Sequence, residues 1–204
     1  MLAKYSTEKF EIDDGNKTIW GWILRPLSKK SDSQALIFSQ GMNQSYKDMI
    51  PYAEYATSHG HTGIVFDYRD NDQEDVTSRQ EDLELVVRFA RKLDDVDTNK
   101  IVLMGENIGG KVVIDTANSI PDRISKLVLI HPELGLNDSK NIGKFTGPIL
   151  VLHGDMDRSV PLESIKKAFE SSSNAELKIL KGAGHEFLGN YRNQSLKIID
   201  QFLG

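Results

Sequence analysis

The stretch Gly105-Glu106-Asn107-Ile108-Gly109-Gly110 follows a short apolar run, Ile101 to Met104, and precedes a segment with helical spacing, Val112 to Ala117. A strand, a tight turn flanked by glycines and then a helix is the context of a nucleophile elbow, where the central side chain is pushed up on a strained backbone. Gly105 and Gly109 stand two residues before and two after Asn107, where any side chain would collide with the neighbouring strand or helix. The carboxamide of Asn107 is a poor nucleophile and has no proton comparable to that of a hydroxyl. Asparagine is one of the few non-glycine residues that accept positive φ with little penalty, so the turn can persist without the chemistry. Two other stretches hold groups suited to proton transfer. They are His153-Gly154-Asp155-Met156-Asp157-Arg158-Ser159-Val160-Pro161 and Gly182-Ala183-Gly184-His185-Glu186-Phe187. His131 and Glu133 follow a further apolar run and are read either as pocket lining or as loop caps.

Groups so far apart in sequence need a rigid frame to meet. Short runs rich in Val, Ile, Leu and Phe recur, each followed by helical spacing, which signals a mostly parallel sheet with crossover helices on both faces. Strands are expected at Ala35 to Phe38, Thr62 to Tyr68, Ile101 to Met104, Leu127 to Ile130, Ile149 to Leu152 and Leu177 to Leu180. Phe10 to Ile12 and Thr18 to Leu24 predict an N-terminal antiparallel hairpin across Asp13-Asp14-Gly15-Asn16, with Trp20 and Trp22 packing on one face. Helices are expected over Lys47 to Ser58, stopping at Gly60, over Ser78 to Leu93, over Leu162 to Phe169 and over Ser195 to Phe202. Ser78 and Glu81 have capping-box spacing. The polar stretch from Gly135 to Lys144 is too short for a lid domain, so the site should be open.

The order of these elements and the sequence Gly-Glu-Asn-Ile-Gly resemble the α/β-hydrolase superfamily, particularly small serine esterases and acyl hydrolases without a large cap. The resemblance runs from about Ile19 to Leu203. It implies one α/β-hydrolase domain over residues 1–204, with Asp157 as the triad acid and His185 as the general base. It further implies an oxyanion hole from the backbone N–H groups of Ile108 and Met42, with Gly41 and His131 against the substrate. Asp155 is the weaker candidate for the acid. The sequence departs from the pattern at Asn107, where a serine is required, at Gln40, where histidine is common, and at Arg69-Asp70-Asn71-Asp72, where a glycine-punctuated turn is usual. The implied function is carboxylic-ester hydrolysis with little or no activity in the chain as written. The alternative is a non-catalytic protein whose pocket binds a small acyl or carbonyl ligand, or whose surface recruits a protein partner.

With 204 residues and 39% hydrophobic content, one core can be buried beneath both helical layers. The net charge of −5 is spread along the chain, which gives no electrostatic reason to expect nucleic acid or an anionic membrane as partner. The chain has no cysteine, so disulfides and thiolate metal sites are excluded. The first ten residues do not read as a signal peptide and no run of eighteen apolar residues occurs, so a cytoplasmic location is expected. His59 and His61 flank Gly60 without further ligands in sequence and read as solvated loop residues. The acidic run Asp67, Asp70, Asp72, Glu74 and Asp75 lacks the glycine and terminal glutamate of a calcium loop. No metal or other cofactor is expected, and the glycine pattern does not match a dinucleotide fingerprint, because Asn107 occupies its second glycine.

Overall fold

The computed structural model describes residues 5–15, 18–30, 33–69, 75–134 and 138–204. Strands β1 (Tyr5–Asp13), β2 (Thr18–Pro26), β3 (Ala35–Ser39), β4 (Thr62–Asp67), β5 (Ile101–Glu106), β6 (Lys126–Ile130), β7 (Ile149–Gly154) and β8 (Ala175–Leu180) form one sheet. Its order is β1-β2-β4-β3-β5-β6-β7-β8. Strand β2 pairs antiparallel with β1 and with β4, and every other neighbouring pair is parallel. This is the α/β-hydrolase fold, with a mostly parallel sheet and an antiparallel N-terminal hairpin. In the hairpin turn the Asp13 carboxylate accepts from Gly15 N at 2.8 Å, while Asn16 lies outside the described residues.

The helices are α1 (Tyr46–Ser58), α2 (Val76–Ala90), α3 (Ile108–Ser119), the single turn α4 (Ser139–Ile142), α5 (Leu162–Phe169) and α6 (Asn190–Leu203). Successive side chains of a strand point to opposite faces, and the central strands use both. Leu36, Phe38, Val102, Met104, Val128 and Ile130 pack with α1 and α6. Ile37, Leu103, Leu127, Leu129, Ile149 and Val151 pack with α2, α3 and α5. The strands β3, β5, β6 and β7 therefore read as continuous apolar runs, because neither face meets water. Among the described residues α4 is the one helix between β6 and β7; residues 135–137 lie outside them.

Several local expectations are corrected. Helix α2 begins at Val76 because Asp75 is its N-cap, its carboxylate accepting from Thr77 N at 2.9 Å; Ser78 is inside the helix and caps nothing. The capping box belongs to α1, where Ser45 and Asp48 satisfy each other's backbone N–H groups. Helix α3 starts at Ile108, directly after the turn, and α6 starts at Asn190, both earlier than the apolar spacing suggests. His61 is not solvated. It is 0% exposed, since its Nδ1 accepts from Gln34 N at 3.1 Å where β3 and β4 begin. His59 is half-buried and stacks on Tyr55. Trp22 packs against the α1/α6 layer, but Trp20 stays 37% exposed, its ring meeting edge-on Tyr46, the first residue of α1. Of the acidic run, Asp70, Asp72 and Glu74 lie outside the described residues, and Asp67 accepts from Tyr46 N at 2.8 Å at the start of α1.

Candidate active site

The turn between β5 and α3 fits because two positions carry no side chain. A Cβ on Gly105 would lie 2.2 Å from Gly109 O, and one on Gly109 would lie 2.3 Å from Ser39 O. Backbone can cross backbone here only with glycine on both sides of Asn107. Asn107 itself adopts φ 54° and ψ −121°. The positive φ agrees with what asparagine tolerates, but the ψ lies outside the left-handed helical region that asparagine favours, so the residue is held by its surroundings. The same backbone recurs at the start of α6 with φ 54° and ψ −118°, and there the residue is Gly189. Asn107 is anchored by its own peptide, whose N–H donates to Ile130 O and whose carbonyl accepts from Gly110 N and Glu133 N.

Opposite Asn107 stands His185, in the loop after β8. Its Nδ1 is 2.8 Å from Asp157 Oδ2, and its Nε2 is 3.2 Å from Asn107 Nδ2. A carboxylate accepts and cannot donate, so Nδ1 carries the imidazole proton and Nε2 of the neutral ring accepts from the amide. The reverse amide orientation would set two lone pairs against each other. Asp157 is fixed by two more bonds, its Oδ1 accepting from Ser159 N at 2.8 Å and Val160 N at 2.9 Å. Burial works against its charge. The N–H of Val160, the His185 ring and the N–H of Ser159 outweigh that, and the carboxyl sits below its ordinary range. Asp155 lies elsewhere, accepting from Gly182 N at 2.6 Å, so it shapes the loop rather than touching His185.

The remaining sequence candidates surround this line. Ile108 is the first residue of α3, whose opening N–H groups have no partner within the helix. Met42 lies in the loop between β3 and α1 beside Asn43, which has φ 57°. In that loop Gly41 N donates to Gln44 Oε1 at 2.6 Å, and a Cβ on Gly41 would come within 3.2 Å of Asn107 Cβ. His131 is 2% exposed and packs behind His185, ring centroids 4.3 Å apart, so it has almost no surface to offer a ligand. Its Nε2 is 2.9 Å from Glu106 Oε1.

Sequence reasoning passed over three residues here: Glu106, Gln44 and His153. His153 is fully buried, its Nε2 donating to Val160 O at 2.9 Å, and burial lowers its basicity. Of the three, Glu106 left a readable signal, a carboxylate ending an otherwise apolar strand. Two clefts lie near these residues. One of ≈510 Å³ includes Trp20, Gln40, Tyr68 and Arg79; one of ≈280 Å³ includes Glu106, Glu186, Phe187 and Arg192, and Gln44 borders both. Among the described residues no group of three or more His, Cys, Asp or Glu is placed to hold a metal ion, and no helix is long and apolar enough to cross a membrane.

The geometry, an elbow, an acid and a base supplied by the ends of β5, β7 and β8, can be set beside known proteins. Residues 52–199 match the model of the dienelactone hydrolase family. The chain belongs to that family. Among curated proteins it is similar to the quorum-quenching protein AidA of Acinetobacter baumannii, 26% identical over 116 residues. That match covers 52% of this chain and 38% of the relative, so the chain spans well under half of that protein. Among solved structures, a dienelactone hydrolase from Anabaena variabilis superposes with a TM-score of 0.86 at 16% identity, covering 98% of this chain and 97% of the other. Est1E from Butyrivibrio proteoclasticus superposes with a TM-score of 0.84 at 18% identity, covering 96% and 97%. At such identities the superpositions speak for the fold, and the family match places the chain among the hydrolases.

Proposed function

We propose that this family member binds a small acyl or carbonyl ligand at the line Asn107–His185–Asp157 and does not carry out covalent acyl transfer as written. One observation carries the reading: Asn107 Nδ2 donates into His185 Nε2 at 3.2 Å. The base and its orienting acid are kept, but the group facing the base has no hydroxyl to surrender, and it occupies the lone pair that would activate water. In a well-studied serine protease, removing the nucleophile costs about a million-fold in turnover, and roughly a thousand-fold acceleration over water survives from the oxyanion hole and binding. Faint hydrolysis would therefore be compatible with this reading.

The test is hydrolysis of short p-nitrophenyl esters by the chain and by Asn107→Ser, each with and without His185→Ala. The serine variant is expected to gain about ten-thousand-fold: the million-fold above, less about a hundred-fold because Oγ sits about 1 Å short of the place Nδ2 occupies. That gain should vanish with His185→Ala. Equal, His185-dependent rates with asparagine and serine would overturn the proposal.

A further inference from the structure

One buried carboxylate in this site is not used by the line just described. Glu106 ends β5 immediately before Asn107 and is 7% exposed. Its Oε1 accepts from His131 Nε2 at 2.9 Å. His131 is held in turn by ring contacts with His185 at 4.3 Å and Phe187 at 5.5 Å. The donor that fixes Glu106 is thus itself packed in place. Among the described residues Glu106 Oε2 has no hydrogen-bond partner and is not a sealed, orphaned atom, and Glu106 lines the ≈280 Å³ cleft. That cleft takes in Glu106, the residue before Asn107, and Glu186 and Phe187, the two after His185, so substituents of a carbonyl held at Asn107 would reach toward it.

An ionised carboxylate accepts hydrogen bonds and offers none, and at the floor of a cleft it repels a second carboxylate while welcoming an O–H or N⁺–H donor. The other charges lining the cleft are Lys47, Asp48, Glu186 and Arg192, two of each sign. Lys47, Asp48 and Glu186 are exposed, where water and salt weaken their fields; Arg192 is half-buried and positively charged, but its side chain is engaged by Phe187 O and the Tyr52 hydroxyl. Glu106 is the charge among them that is buried, so it sets the preference. Resting on the carbonyl-ligand reading above, we infer that Glu106 is the specificity-determining residue of this pocket. It selects ligands with a hydroxyl or ammonium donor one or two bonds from the carbonyl and rejects those with a carboxylate there; His131 is its positioning residue.

The experiment is equilibrium binding of four small amides, glycinamide, glycolamide, propionamide and malonamate, to the full chain and to Glu106→Gln, which keeps an acceptor for His131. With the unaltered chain glycinamide should bind at least about tenfold tighter than propionamide, glycolamide should fall between them, and malonamate should be weakest. In Glu106→Gln the preference for glycinamide over malonamate should shrink to about threefold or less. The inference is overturned if malonamate binds as well as propionamide, or if Glu106→Gln keeps the original ranking. Four amides bound alike would remove the role of Glu106 and leave the carbonyl reading standing, whereas no binding by any of them would remove both. The ranking with the unaltered chain decides the matter by itself should the variant fail to fold.

Discussion

Substituting Gly189 by asparagine would measure what Asn107 endures. The two residues have nearly the same backbone, φ 54° with ψ −121° at 107 and ψ −118° at 189, and both precede the first turn of a helix. A Cβ built on Gly189 meets no atom within 4 Å, so a side chain there would be strained by its torsions and not by a clash. Capping should not rescue it, because Asn107 makes no side-chain cap bond in that geometry. A non-glycine residue in such a region costs about 1–3 kcal/mol, from which about 0.4–1 kcal/mol is recovered because the unfolded chain loses a flexible glycine. The expected net destabilisation is about 1–2 kcal/mol, a fall in Tm of roughly 3–6 °C for a domain of this size. Asn107→Gly should come out within about 0.5 kcal/mol of neutral, since relief of the same strain is offset by loss of the bond to His185 and by added chain entropy. Thermal and urea unfolding of both variants would check this. A Gly189→Asn protein as stable as the parent would refute the reasoning, for it would mean that asparagine takes this conformation freely.

Acid should act through Asp157. Its folded carboxyl lies below the ordinary 3.8, so its contribution is complete above that pH and is lost as pH falls through the lower folded value; urea midpoints of Asp157→Asn should drop less between pH 6 and pH 3 than those of the parent. An identical pH response in both proteins would count against it. Gly105→Ala should lose about 3 kcal/mol or more, because its Cβ would lie 2.2 Å from a main-chain oxygen that cannot rotate away; a urea midpoint within 1 kcal/mol of the parent would contradict that close approach.

The sheet was legible because β3, β5, β6 and β7 are buried on both faces, which leaves uninterrupted apolar runs that few other environments produce. Helix starts were harder to place. Helix α6 starts at Asn190, a turn before its buried face begins at Ser195, and α3 starts inside the core at Ile108 but carries Gly109 and Gly110 in its first turn, which give no helical spacing. The capping box was assigned to Ser78 when Asp75 had already closed the end, a competition between two adequate caps that local spacing does not resolve. At the site, Asn107, Asp157 and His185 could be picked out by the turns around them and the likeness to a family. Glu106 and Gln44 could not be given roles, because Glu106 depends on His131, 25 residues away, and Gln44 on the shape of the loop holding Gly41. His61 shows the reverse error: a histidine beside a turn glycine reads as solvated, and only the pairing of β3 with β4 encloses it.

Asn107 and His185 are 78 positions apart in the chain, and His185 and Asp157 are 28 apart. Asp157 and His185 meet only once β7 lies beside β8, and Asn107 and His185 only once the sheet is assembled from β5 through β6 and β7 to β8, and closing long loops is the slow part of folding. The bond between Asn107 and His185 therefore cannot form in a nascent or half-assembled chain, whatever its local structure. A spectroscopic label on His185 would for that reason report the arrival of the finished molecule, and a ligand of this pocket would recognise that molecule and none of its precursors.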